Sequence, residues 1–125
     1  MSDSGVGCPF CNVSSPILEN ELAFVIYDRY PVNPGHALVA PKRHVASFFQ
    51  TTPYECMAMF SLLAEMRRRI DAEHGPDGYN VGVNVGEVAG QTVMHAHLHL
   101  IPRYRGDMQN PRGGVRGVIP ARQSY

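Results

Sequence analysis

Three histidines stand at every second position of an otherwise apolar segment late in the chain. They are His95, His97 and His99 in the segment VMHAHLHLIP (93–102). In a β-strand alternate side chains share a face, whereas a helix would distribute the three rings around its axis. We therefore predict a strand over 93–102, with the histidines on one face and the intervening apolar residues packed into a core on the other.

Three chemistries are compatible with such a face of histidines. One zinc ion could bind them, but His95 and His99 would lie about 13 Å apart along a strand. Zinc–nitrogen bonds are only about 2.0–2.1 Å long, which disfavours a single ion for all three rings. Three structural histidines would each need buried hydrogen-bond partners. We favour a reactive surface on which the imidazoles share proton and phosphate chemistry, with the other two interpretations as alternatives.

The chain has three cysteines, two of which form the motif CPFC at Cys8 and Cys11. In a reducing compartment such a pair more often binds a metal or performs redox chemistry than forms a structural disulfide. Cys56 stands alone in a helical pattern, and we predict that it is a buried thiol.

Composition limits the class of protein. The 125 residues suit one domain, and 44% hydrophobic with 18% charged residues is ordinary for a folded protein. A formal net charge of zero gives no electrostatic footprint for binding duplex nucleic acid. No segment resembles a signal peptide or is apolar for long enough to span a membrane, so we predict a cytoplasmic protein without a membrane partner.

Around the histidines, the sequence predicts an antiparallel α+β fold. Strands are expected over 21–28, 36–41 and 78–86 from their apolar patterns. One long helix should begin after Thr52, which can form a capping box with Glu55, and end before Gly75. Its buried stripe should contain Met59, Leu62, Leu63, Met66 and Ile70. Strands and helix do not alternate as βαβ units, which favours a sheet of about five antiparallel strands with the helix on one face.

The segment HAHLHLI resembles the pattern that gives the histidine triad (HIT) superfamily its name. Further segments resemble the family in the same order: CPFC, PVNPGHALVAPKRH (31–44), GYNVGVNVGEVAGQT (78–92) and HLIPRY (99–104). The resemblance is to bacterial HIT proteins with a CxxC motif, and it covers about residues 8–105. We therefore expect one HIT domain over 1–125, with a C-terminal tail at 106–125 that departs from the family pattern.

The resemblance implies a catalytic role for five residues. His97 corresponds to the histidine that attacks the α-phosphate of a nucleotide and becomes nucleotidylated. His99 corresponds to a phosphate contact, and His36 to the histidine that orients the nucleophile. Gln91 and Thr92 correspond to residues that hydrogen-bond the phosphate or the leaving group.

The resemblance also implies a nucleoside site. Asp28 corresponds to the acidic residue that binds the ribose hydroxyls, and Asn84 to a residue near the phosphate. The residues implied for the base pocket are Phe10, Val13, Ile26 and Tyr27. For Phe10 and Ile26, an ordinary place in the core is the alternative.

Some family members with CxxC bind a structural zinc ion, and the resemblance implies the same here. The implied ligands are Cys8, Cys11, His44 and His95, a set that suits tetrahedral zinc. Two buried thiols beside two hydrogen-bonded histidines are the alternative.

The expected function is hydrolysis at the α-phosphate of a dinucleoside polyphosphate or a nucleoside phosphoramidate, through a nucleotidyl-histidine intermediate. The expected partner is a purine nucleotide substrate or the AMP product. A nucleotidyl or adenylyl transferase and a nucleotide-binding regulatory module are the alternatives. We also expect a two-fold homodimer whose sheets join across the axis, because one helix covers only one face of a small sheet and leaves its edges unpaired.

Overall fold

The computed structural model describes residues 5–125, which form one long helix and a five-stranded antiparallel sheet. The strands are β1 (Leu18–Glu19), β2 (Ala23–Tyr27), β3 (Ala37–Pro41), β4 (Gly78–Val83) and β5 (Leu98–Arg103), and the helix is α1 (Pro53–His74). Their order across the sheet is β1-β2-β3-β5-β4. The predicted α+β fold is confirmed.

Helix α1 begins and ends where its capping residues predict. The Thr52 side chain accepts from the backbone N–H of Glu55, and the Glu55 carboxylate accepts from the N–H of Thr52. At the other end Gly75 takes a left-handed conformation with φ 61°, which ends the helix without steric cost. Four residues of the predicted stripe are buried, and Leu63 is half-buried against them. Cys56, predicted to be buried, is half-buried and lies 3.2 Å from the Thr51 hydroxyl.

The prediction for the histidine segment is wrong in its first half. Strand β5 begins at Leu98, so His95 and His97 precede it, and only His99 lies within it. In the β3–β5 register Val39 faces Leu98, so a continued ladder would place Pro41 opposite Ala96. Pro41 has no N–H to donate, and the N–H of Ala96 instead donates to the carbonyl of Val45 at 2.7 Å. His95 and His97 therefore lie in the loop that precedes β5.

The two faces of the sheet carry two separate apolar clusters. Strand β3 alternates between them: Ala37 and Val39 pack with α1, and Leu38 and Ala40 pack on the opposite face. The helix covers the first face. On the second face the N-terminal loop supplies Phe10, and the rest of that face stays open to form a cavity.

Strand β4 is an edge strand, since β5 is its one hydrogen-bonded neighbour in the part of the chain described. Val81 in this strand is 45% exposed. These features are consistent with a sheet that continues into a second copy, and the two-fold dimer stays a prediction. Between residues 5 and 125, no helix combines the length and apolar character needed to cross a membrane.

The C-terminal tail folds back on itself in two short 3₁₀ turns, Gly114–Val118 and Pro120–Arg122. The guanidinium groups of Arg112 and Arg116 lie 4.8 and 4.9 Å from the centre of the Tyr125 ring. The residues that line the large cavity of the open face all lie between Pro9 and His99. The tail therefore lies away from the cavity of its own chain.

Candidate functional site

The open face of the sheet holds a cavity of about 560 Å³. Ten of the eleven residues predicted for catalysis and nucleoside binding line it: Phe10, Ile26, Tyr27, Asp28, His36, Asn84, Gln91, Thr92, His97 and His99. The eleventh, Val13, is outside the cavity lining and packs against the apolar cluster that contains Phe10. The cavity wall also includes Arg29, Tyr30 and Val32, which the sequence did not single out.

His97 has a single tautomer that its surroundings permit. Its Nδ1 lies 2.8 Å from the carbonyl oxygen of His95. A carbonyl can only accept, so Nδ1 must carry the proton, and neutral His97 then has its lone pair on Nε2. The side chain is buried in the cavity wall, 9% exposed. His97 therefore presents a nucleophilic nitrogen on a ring that the backbone holds in place.

A series of hydrogen bonds runs through His36 and His99. The backbone N–H of Val32 donates to His36 Nδ1 at 3.0 Å, which leaves the His36 proton on Nε2. His36 Nε2 lies 2.9 Å from His99 Nδ1 and so donates to it. His99 must then carry its own proton on Nε2. The resemblance implied that His36 orients His97, whereas the contacts of His36 in this structure are to Val32, His99 and Asp28.

The imidazole rings of His36 and His99 are both neutral near pH 7. Burial lowers the pKa of His36, and the opposing influence of the Asp28 carboxylate is smaller. Burial, with smaller contributions from His97 and His36, lowers the pKa of His99 to about 4. Neutral rings are what the tautomer assignment requires, because a protonated ring would have no lone pair with which to accept.

The Gln91 side chain organises the loop before β5. Its Nε2 donates to the carbonyls of Ala46 at 2.7 Å and Val93 at 3.1 Å, and its Oε1 accepts from the N–H of Gly86 at 2.9 Å. An amide has two N–H bonds, and both are engaged here. No N–H of the Gln91 side chain is therefore left to donate the expected hydrogen bond to phosphate. Thr92, the next residue, is exposed at the cavity mouth.

The four residues implied as zinc ligands come together beside the cavity. The distances between their donor atoms are 3.4 Å from Cys8 Sγ to His95 Nδ1, 3.2 Å from Cys11 Sγ to His44 Nδ1 and 3.1 Å between the two nitrogens. Bonds of about 2.3 Å to sulfur and about 2.0 Å to nitrogen, in a tetrahedron, separate ligand atoms by roughly 3.3–3.8 Å. These four side chains, hereafter the metal cluster, fit a zinc ion.

The surroundings of the metal cluster support this fit. His95 Nε2 lies 2.7 Å from the carbonyl of Pro41, so Nε2 carries the proton and the lone pair of Nδ1 faces the cluster. Next to His44, Arg43 makes two hydrogen bonds to the buried carboxylate of Glu55, at 3.0 and 2.8 Å. This pair lowers the pKa of Glu55 and ties the loop that carries His44 to the start of α1.

Phe10 connects the metal cluster to the cavity. It lies between the two cysteines in sequence, and its ring makes edge contacts with His95 and His97, with ring centres 5.8 and 5.1 Å apart. The ring is 9% exposed and also lines the cavity. Both alternatives for Phe10, core and cavity wall, therefore describe it.

The chain belongs to the HIT family, since the family model for the HIT domain matches residues 12–106. An uncharacterised HIT-like protein of Mycoplasma genitalium is 38% identical over 103 residues, which cover 78% of this chain and 73% of that protein. The adenylylsulfatase of Arabidopsis thaliana is 36% identical, over 80% of this chain and 54% of that protein. The AP-4-A phosphorylase of Mycobacterium tuberculosis is 34% identical, over 73% of this chain and 47% of that protein.

Solved structures of HIT proteins have the same fold. A HIT family protein from Bacillus anthracis matches with a TM-score of 0.74 and 40% identity, covering 80% of this chain and 75% of that one. A zinc-bound histidine triad family protein from Mycobacterium smegmatis matches with a TM-score of 0.74 and 33% identity, covering 86% and 82% of the two chains.

Proposed function

We propose that this protein hydrolyses a nucleotide at its α-phosphate, with His97 as the nucleophile. The substrate would be a dinucleoside polyphosphate or a nucleoside phosphoramidate, and the product a nucleoside monophosphate such as AMP. The observation that carries the proposal is the hydrogen bond from His97 Nδ1 to the His95 carbonyl, which directs the lone pair of the opposite nitrogen away from the backbone. A neutral imidazole nitrogen in a cavity of this size is a competent nucleophile near pH 7.

The reaction would proceed in two displacements. In the first, His97 Nε2 forms a bond to the α-phosphorus while the bond from phosphorus to the leaving oxygen or nitrogen breaks, and the leaving group takes up a proton. In the second, water attacks the phosphorus, the phosphorus–Nε2 bond breaks and the water gives up a proton. One water is consumed overall, and the imidazole regains its lone pair.

His99 and Asp28 would hold the phosphate and the ribose. His99 has its proton on Nε2 and lines the cavity beside His97, with ring centres 5.1 Å apart. From there it can donate to a phosphate oxygen as charge develops. Asp28 is 16% exposed in its side chain and can accept from ribose hydroxyls. Phe10, Ile26 and Leu38 supply an apolar wall for the base.

We further propose that the metal cluster holds one structural zinc ion. All four protein ligands are accounted for by Cys8, Cys11, His44 and His95, whose donor atoms lie within 4.8 Å of one another. A closed site of this kind crosslinks chain segments and leaves no open position for substrate. The zinc-bound relative from Mycobacterium smegmatis is consistent with this assignment.

The relatives named as enzymes support a nucleotide substrate and suggest a second acceptor, besides water, for the nucleotidyl group. One is an adenylylsulfatase and the other an AP-4-A phosphorylase. The phosphorylase favours testing inorganic phosphate in place of water as the group that takes the nucleotidyl from His97. With phosphate as acceptor the product from a diadenosine polyphosphate would be ADP instead of AMP.

The experiment offers purified protein diadenosine tetraphosphate, whose leaving group is ATP, or an adenosine phosphoramidate, each with and without inorganic phosphate, and separates AMP from ADP. We expect AMP in every case. His97→Ala should abolish turnover and keep AMP affinity within about tenfold, because the covalent step and ground-state binding are separable. Tyr54→Ala is the control, since Tyr54 is exposed near the start of α1 and outside the cavity lining.

Three results would contradict the proposal in different ways. Residual turnover by His97→Ala would remove His97 as the nucleophile. ADP formed only when phosphate is present would make the protein a transferase. AMP binding without consumption of either substrate would favour a nucleotide-binding regulatory module.

A further inference from the structure

A second group of side chains has the donor types and the spacing of a metal site. Asp28 Oδ2 lies 3.4 Å from His36 Nε2 and 3.9 Å from His99 Nδ1, and the two nitrogens are 2.9 Å apart. All three atoms lie within 4.8 Å of one another, as those of the metal cluster do. Two imidazoles and a carboxylate are ligands that transition-metal ions accept. Donor type and distance alone would therefore predict a metal ion in this group, hereafter the relay cluster.

The backbone contact of His36 opposes metal binding in the relay cluster. The Val32 N–H donates to His36 Nδ1 at 3.0 Å, so the proton of the neutral ring sits on Nε2, the atom that would have to bind the ion. Coordination through Nε2 would move this proton to Nδ1 and bring two N–H donors face to face. A partly buried donor that loses its acceptor in this way weakens binding by roughly tenfold.

We propose that the Val32 N–H is a positioning group. Through His36 it holds His99 as a hydrogen-bond donor from Nε2, and it excludes divalent transition-metal ions from the relay cluster. The first part rests on the proposed function, because it assumes a phosphate group as the acceptor. The second part stands without any substrate.

The loop that carries Val32 is held in place by contacts on both sides. Asn33 Nδ2 donates to the Pro102 carbonyl at 2.9 Å and to the Asp107 carboxylate at 2.8 Å. Gly35 has φ 94°, and a Cβ there would lie 3.1 Å from the His74 ring, so the turn is packed tightly against α1. A fixed loop keeps the N–H pointed at His36, which is what a tautomer-setting donor requires.

The Val32 side chain itself is 65% exposed, so its N–H can be removed with little loss of buried surface. Val32→Pro deletes the donor, and Val32→Ala keeps it and is the matched control. An amide-to-ester replacement at residue 32 removes the N–H without a ring. It keeps the test decisive if the proline variant fails to fold.

The first measurement is the ¹⁵N spectrum of ring-labelled histidines in the zinc-loaded protein without substrate. For native protein and Val32→Ala we expect His36 and His99 both to be protonated on Nε2 and bare on Nδ1. In the proline or ester variant, His36 should populate the form protonated on Nδ1. Native His36 protonated on Nδ1, or no difference between the ester variant and native protein, would overturn the proposal.

The second measurement titrates the same zinc-loaded proteins with Ni²⁺. We expect Ni²⁺ to broaden the His36 and His99 signals of the proline or ester variant at concentrations at least roughly tenfold lower than in Val32→Ala. Elemental analysis should then find a second ion per chain in the variant only. Equal Ni²⁺ affinity in variant and control would show that the N–H does not exclude metal.

Turnover separates this proposal from the proposed function. Loss of a donor that acts on the transition state should lower kcat of the proline or ester variant at least roughly tenfold relative to Val32→Ala, with a much smaller change in KM. If native protein turns nothing over but the two spectroscopic results hold, metal exclusion survives and the phosphate role fails. An unchanged kcat with an altered tautomer would overturn the phosphate role alone.

Discussion

In the metal cluster and the relay cluster two histidine nitrogens lie 3.1 and 2.9 Å apart, beside two thiols in the first and a carboxylate in the second, yet the histidines are prepared for different chemistry. The difference lies at the far nitrogen of each ring. His95 Nε2 meets the carbonyl of Pro41, which keeps the proton there and leaves a lone pair for a metal. His36 Nδ1 meets the N–H of Val32, which puts the proton on the nitrogen that faces the cluster. One backbone group in each case decides between a ligand and a donor.

This comparison shows why proximity of ligand-type side chains is insufficient evidence for a metal site. A histidine offers one lone pair when neutral, and its second contact determines where that lone pair points. His97 follows the same rule, since the His95 carbonyl holds its proton and frees Nε2 for the cavity. His95, a proposed metal ligand through its side chain, thus orients the proposed nucleophile through its backbone.

The largest expected effect is loss of the metal from one cluster and not the other. Replacing Cys8 and Cys11 together with serine should reduce zinc from one ion per chain to almost none, whereas His36→Asn should keep one. At free zinc about a thousandfold above Kd, bound metal stabilises the fold by about 4 kcal/mol, so Tm should fall on the order of 15 °C. Elemental analysis and thermal unfolding measure both. Loss of zinc in His36→Asn would show that the ion binds in the relay cluster and not in the metal cluster.

The relay cluster should respond to pH instead. The pKa of His99 is lowered from 6.5 to about 4 in the folded protein, and the groups facing it are His97, His36 and Asp28. The unfolded chain therefore binds this proton first as pH falls. The contribution of neutral His99 to the free energy of unfolding is therefore complete above about pH 6.5. It falls by roughly 3 kcal/mol at most as the pH drops from about 6.5 to 4.

Urea unfolding at several pH values tests this, with His99→Gln as the comparison. The difference in unfolding free energy between native protein and the variant should shift by about 2–3 kcal/mol in favour of the variant between pH 7 and 4.5. Carboxylates and histidines outside this cluster titrate alike in both proteins and cancel. A constant difference across this range would mean that His99 is not held neutral.

The smallest expected effect concerns Phe10, which contacts both the proposed metal ligand His95 and the proposed nucleophile His97. Phe10→Leu should lower the free energy of unfolding by about 1 kcal/mol, since an aromatic edge contact contributes about 0.5–1.5 kcal/mol beyond buried area. Turnover should also fall while zinc stays at one ion per chain. Phe24→Leu is the control, because the Phe24 ring also meets His95 edge-on, with ring centres 6.5 Å apart, and lies outside the cavity lining. Equal loss of turnover in both variants would show that Phe10 does not couple the two regions.

Much of the fold was predictable because its signals are local. The capping residues at Thr52 and Gly75 bound α1 correctly, and the apolar patterns located β2, β3 and β4 to within a few residues. The alternation of the histidine segment was misleading before Leu98. Whether an alternating segment pairs as a strand depends on its neighbour, and here the neighbour ends in Pro41, which has no N–H to donate.

The sequence by itself determined which residues could do chemistry, because side-chain type and spacing are properties of the chain. It indicated the family, the four donors of the metal cluster and the histidines of the cavity. Only the tertiary structure decided how each ring is used. Every residue supplies a backbone carbonyl and every residue except proline a backbone N–H, and nothing but the folded backbone brings those of Pro41, His95 and Val32 to particular ring nitrogens. A proton's place on an imidazole is set by such contacts, which leave no trace in residue identity.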